Sequence, residues 1–154
     1  MVHNFEYRMN LFRKEIQASS MPKHLITAAL NSLPNLEDDN RNFWLGAVGI
    51  RHDSAIVHAK NGSISCDRTF KRHEKFPYLH AEGRVIRKIG TFGKAIYVSR
   101  ISRLDGSFAM ARPCGTCSIL ITSRNIEKVY YSINSNQYGI WLVKKDQDKV
   151  FNIS

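Results

Sequence analysis

His80, Ala81 and Glu82 stand upstream of Pro113, Cys114, Gly115, Thr116 and Cys117. One imidazole and two thiolates can hold a zinc ion and leave a fourth position for water, which is the ligand number that catalytic zinc needs. A carboxylate beside such a site, here Glu82, can take a proton from that water and pass it to a departing amine. Those roles together describe zinc-assisted hydrolysis that releases an amine.

Each half of this pattern has other readings. His-x-Glu alone carries little weight in a chain with 6 His and 13 acidic residues. Cys-x-x-Cys can also be half of a zinc ribbon or a redox pair. A ribbon needs a second cysteine pair, and the chain has 3 Cys in all, the third being Cys66. The redox reading fits a pair that opens a helix, but it leaves His80 and Glu82 without a role.

Both motifs are expected to open helices. Residues three apart share one side of a first helical turn, so the sulfurs of Cys114 and Cys117 can reach one metal. The positive end of the helix dipole favours their thiolates. His80 and Glu82, two apart, meet one metal only if it lies over the helix start.

The surrounding elements follow from periodicity. Phe5, Met9, Phe12 and Ile16 recur at helical spacing over residues 5–17, and a second helix runs from Pro22 through Leu33. After a polar loop at 37–40, strands are expected at 43–50 and 55–59, paired through a turn at 51–54. A helix follows at 79–89 with Gly90 as its stop. A strand at 95–101, a helix from Cys114 and a strand at 129–133 make a parallel unit. A strand at 138–143, after a turn too short for a crossover, must run antiparallel to its predecessor. The expected architecture is a three-layer α/β/α domain with a five-stranded mixed sheet. The N-terminal helical segment, residues 1–36, packs on a domain formed by 37–154, giving one domain overall.

Residues 62–78 are polar and irregular, with Arg68, Lys71, Arg72, His73 and Lys75 among Phe70, Phe76 and Tyr78. A loop of that length running into the metal motif is a candidate substrate wall, and a solvated loop is the alternative. The 23 basic and 13 acidic residues give a net charge of +10, which favours an anionic partner such as a nucleotide or nucleic acid. No apolar run reaches the roughly 18 residues of a membrane span, and the first residues lack the apolar core of a signal peptide. With an odd cysteine count, the expected setting is the reducing cytoplasm.

The motifs His80-Ala81-Glu82 and Pro113-Cys114-Gly115-Thr116-Cys117 resemble the signature of zinc-dependent nucleobase deaminases. The chain is similar to the cytidine and deoxycytidylate deaminase superfamily over about 43–143, including Ile126-Glu127-Lys128-Val129-Tyr130-Tyr131. That resemblance implies zinc as cofactor, His80, Cys114 and Cys117 as its ligands, and Glu82 as proton shuttle. It also implies a contact from Asn61, at the end of the second strand, to sugar or base, with a turn residue chosen for its backbone beside Gly62 as the alternative, and main-chain contacts from Ala81 and Cys114. The hairpin-like end at the last two strands resembles the free-cytidine branch, while His-Ala-Glu is more similar to the deoxycytidylate and polynucleotide branches.

Three functions are consistent with this reading. The first is deamination of cytosine in a free nucleoside or nucleotide (cytidine, deoxycytidine or dCMP). The second is deamination of cytosine or adenine in single-stranded DNA or RNA, with Phe70, Phe76 or Tyr78 stacking on bases. The third is a non-catalytic, zinc-stabilised binding module, which leaves Glu82 without a purpose. No membrane partner is expected. The family often assembles through its helices, so a homo-oligomer stays open.

Overall fold

Helix α1, Asn4–Gln17, buries Met9, Phe12 and Ile16 along one stripe, as the three- and four-residue spacing requires. Helix α2, Lys23–Ser32, buries Leu25, Ala28, Ala29 and Ser32. Pro22 stands at its N-cap rather than inside its first turn, and its carbonyl accepts the Leu25 and Ile26 N–H groups. Leu33 is already extended, as expected for a residue before proline. The computed structural model describes residues 4–35, 41–60, 81–90 and 92–153.

Strands β1, Phe43–Arg51, and β2, Ile56–Lys60, pair antiparallel through a tight turn. The Arg51 N–H donates to the Ala55 carbonyl across that turn. Helix α3, Ala81–Ile89, ends at Gly90, whose φ of 90° closes the helix with a left-handed residue. Then come β3, Gly93–Ser102, the two-residue strand β4, Phe108–Ala109, and helix α4, Gly115–Ser123. Strands β5, Ile126–Asn134, β6, Gln137–Leu142, and β7, Gln147–Asn152, complete the sheet.

The sheet runs β2-β1-β3-β5-β6-β7, with β4 attached to β3. β3 and β5 are parallel, with α4 as the crossover between them, and the other pairs are antiparallel. The expected five strands are thus corrected to seven among the described residues. The additional strands are β4, too short to show a period, and β7, whose residues are all exposed and therefore carry no hydrophobic alternation.

Alternation along the strands sends side chains to two faces. Ile96, Val98 and Val129 meet Val85, Ile86 and Ile89 of α3 and Ile121 of α4. On the other face, Trp44 and Ile101 meet Met9, Phe12 and Ile16 of α1 and Leu25 and Ala29 of α2. Gly46 belongs to this second face, where any side chain would overlap the Ala28 carbonyl. The result is a three-layer α/β/α arrangement. β2 and β3 run in the same direction, as do β3 and β5, so the N-termini of α3 and α4 both open at the C-terminal edge of these strands. That edge is where open α/β sheets place their ligands.

Candidate metal and proton-transfer site

Glu82 lies in the first turn of α3, and the fold removes it from water, at 4% exposure. Its Oε1 is buried with no hydrogen-bond partner. Burial pushes the carboxyl above the usual carboxylate range, while its own backbone N–H and the positive charge of Arg100 pull the other way. Ala81 is fully buried beside it.

Cys114 takes the N-cap position of α4, in extended conformation, and Cys117 follows in the first turn. Cys114 is exposed, Cys117 is buried, and neither forms a disulfide among the described residues. The Cys114 carbonyl accepts the Ser118 N–H at 2.8 Å, and the Ser118 hydroxyl donates to the Pro113 carbonyl at 3.1 Å. Burial drives the Cys117 thiol strongly upward, the charges of Glu82 and Cys114 add to that, and the Gly83 N–H opposes it. Thus the structure brings Glu82, Cys114 and Cys117 into one electrostatic neighbourhood at the meeting of the two helix starts.

Of the other residues singled out from sequence, His80, Asn61, Phe76, Tyr78 and Cys66 lie outside the described residues, as does the loop at 62–78. Among the described residues no three His, Cys, Asp or Glu side chains gather around one point. Cys114 and Cys117 could supply two donors. The donor chemistry fits zinc: two cysteine sulfurs at one helix start can bind the ion as thiolates, and the unpartnered buried oxygen of Glu82 beside them is costly unless a cation is near.

Two features of the site went unseen in the sequence. Arg100 continues the row Ile96, Val98 on β3, so the two-residue period that fills the core also aims a guanidinium toward Glu82. It lies over the ring of Phe43, 5.4 Å from its centroid. Arg112, two residues before Cys114, is clamped by Asp148 on β7 through Nε to Oδ2 at 2.8 Å and Nη2 to Oδ1 at 3.1 Å. The Tyr131 hydroxyl donates to the same carboxylate, and the Arg112 guanidinium sits 4.9 Å from the Trp141 ring centroid. β7 therefore anchors the cysteine loop.

The sequence profile of the cytidine and deoxycytidylate deaminase zinc-binding region matches residues 19–133. The chain belongs to this family, whose metal is zinc and whose chemistry is zinc-dependent hydrolytic deamination. Among solved structures, the crystal structure of cytidine deaminase from Burkholderia pseudomallei aligns over 86% of this chain and 93% of its own, at 17% identity and a TM-score of 0.46. No curated protein matches the chain by sequence. Among the described residues no helix is long and apolar enough to cross a membrane.

Proposed function

We propose that the protein converts cytosine to uracil in a free nucleoside or nucleotide, namely cytidine, deoxycytidine or dCMP, in the cytoplasm. The observation that carries this choice is the end of the sheet. β5 and β6 are antiparallel, joined by a turn between Asn134 and Gln137. That hairpin resembles the free-cytidine branch and favours a nucleoside, since the deoxycytidylate and polynucleotide branches usually insert a helix there; His80-Ala81-Glu82, which is more similar to the deoxycytidylate branch, keeps dCMP among the substrates.

In this reading His80, Cys114 and Cys117 hold the metal. Zinc, when bound, supplies a water ligand acidic enough to ionise near neutral pH. Glu82, whose Oε1 has no competing partner, takes the proton from the water and delivers it to the ring and the departing amino group. One water is consumed and ammonia is released. Ala81 offers main-chain groups to the base edge, and Asn61, Phe76 and Tyr78 complete the substrate wall.

A second reading, deamination within single-stranded DNA or RNA, is favoured by the net charge of +10. One experiment separates the two. Zinc-loaded wild type and Glu82→Ala are assayed by mass spectrometry against cytidine, deoxycytidine, dCMP, adenosine, single-stranded DNA and RNA. Uracil product from a free substrate, absent in Glu82→Ala, is the expected result. Product only from a polynucleotide moves the assignment to the second reading. No product from any substrate overturns both.

A further inference from the structure

The sheet face opposite Glu82 carries an aromatic and basic surface that deamination does not use. We propose that this face binds single-stranded nucleic acid, with Tyr130, Tyr138 and Phe151 as a stacking surface and Lys94, Lys128 and Lys149 as its phosphate contacts.

Register places these residues together. Tyr97 pairs with Tyr130 across β3 and β5, and Ala95 pairs with Lys128. Tyr130 stands opposite Ile140, and Ser132 opposite Tyr138. Tyr138 stands opposite Phe151, and Ile140 opposite Lys149. Directly opposed residues share a face, so four neighbouring strands each present one aromatic ring to the same side. The rings form two stacked pairs, Tyr97 with Tyr130 at 4.3 Å and 13°, and Tyr138 with Phe151 at 5.2 Å and 15°.

Tyr97 is covered by the His24 ring of α2, 4.8 Å from its own centroid, and Tyr130 and Tyr138 flank the core under α1 and α2; from there the face opens toward β7. Helix α2 packs over β1, β2 and β3 and reaches only the margin of β5. Every residue of β7 is exposed, while Tyr130, Tyr138, Ile140 and Leu142 are half-buried. Beside α2 a groove of about 450 Å³ has Tyr97 and Tyr130 in its floor and Lys94, Lys128, His24 and Glu127 among its lining. Lys94 also donates to the Ser54 hydroxyl at 2.9 Å. The acids nearest on β7 and its turn are engaged on the other face, Asp148 by Arg112 and Asp146 by Trp141.

Charge selects the occupant. A second copy docked face to face about a twofold axis would bring lysine patches together on a molecule of net charge +10, and like charges in such contacts are unfavourable. A single strand offers what the face lacks, phosphates for the lysines and bases for the rings, which is how sequence-tolerant single-strand binding surfaces work. A duplex keeps its bases stacked inside and offers only its phosphates.

The test is fluorescence anisotropy of a labelled oligothymidylate and of a duplex of the same length, with zinc-loaded protein, from about 50 to about 200 mM salt. Wild type should bind the single strand more tightly than the duplex. Lys128→Glu combined with Lys149→Glu should weaken it at least tenfold and flatten the salt slope by about 1.4, the share of two phosphate contacts on a single strand. Phe151→Ala, at a ring already 38% exposed, should weaken it by about tenfold, the scale of one lost base stack. Lys14→Glu, exposed on α1, should change it less than twofold, and the Lys128/Lys149 variant should keep its turnover of free substrate. Photocrosslinks should map to Tyr130, Tyr138 or Phe151. Absence of single-strand binding, equal loss in Lys14→Glu, crosslinks confined to the catalytic face, or a self-association abolished by Phe151→Ala without oligonucleotide binding would each overturn the proposal.

Discussion

Glu82 is the residue whose surroundings make least sense without a reaction. A carboxylate placed at 4% exposure without a partner for Oε1 is a cost that packing alone would have removed. Replacing it with Gln keeps the volume and removes the proton carrier. Glu82→Gln is expected to lower kcat by about 10²–10⁴-fold, the usual share of a general acid-base group, while metal analysis finds zinc at the wild-type level. Cys117→Ser should show the reverse order of events, with zinc lost first and activity with it, read by atomic absorption on dialysed protein. A full complement of zinc in Cys117→Ser would remove Cys117 from the ligand set. Both residues stood out in the sequence because their motifs together resemble one family signature, which neither half does by itself. Arg100 did not, since a lone arginine in a strand gains meaning only when the strand's two-residue period is placed against α3.

At the scale of elements, legibility followed burial. β1 has Trp44, Leu45, Ala47 and Val48 buried between the two helical layers, and a continuous apolar run of this kind reads as a buried strand from its residue types alone. α1 and α2 declared themselves by their stripes for the same reason. β7 has no buried side chain to report it, and what makes it a strand is backbone pairing to β6. Yet β7 holds the cysteine loop through Asp148, so the least legible element supports the most legible motif. The Arg112 guanidinium is the main influence holding the Asp148 carboxyl below its usual range. A carboxyl with a depressed folded pKa contributes stability that is present above its unfolded value and is lost as pH falls through the folded one. Asp148→Asn should therefore unfold more readily than wild type at neutral pH and converge with it in acid, as followed by thermal melts across pH. It should also release zinc faster to a chromogenic chelator, because the loop that begins at Arg112 loses its bidentate clamp. Unchanged chelator kinetics would make the clamp a feature of β7 alone.

For the whole molecule the decisive question is whether the N-terminal helices belong to the catalytic unit. One sheet serves both cores, with Ile16 buried in the layer under α1 and α2 and Ile86 in the layer under α3 and α4. Trp44, Ile101 and Gly46 lie on strands whose opposite face carries Leu45, Val98 and Ala47, so neither layer can be lost without uncovering an apolar sheet face of the other. This arrangement argues that residues 1–36 fold with 37–154 as one cooperative unit. Ile16→Ala and Ile86→Ala should each cost about 2–5 kcal/mol, the range for truncating a buried isoleucine, and should shift one shared calorimetric transition. In the double variant the costs should add within about 0.5 kcal/mol, since the residues sit on opposite sides of the sheet and share no contacts. A second transition that moves only with Ile16 would show that the N-terminal helices melt on their own, and that the deaminase layer stands without them.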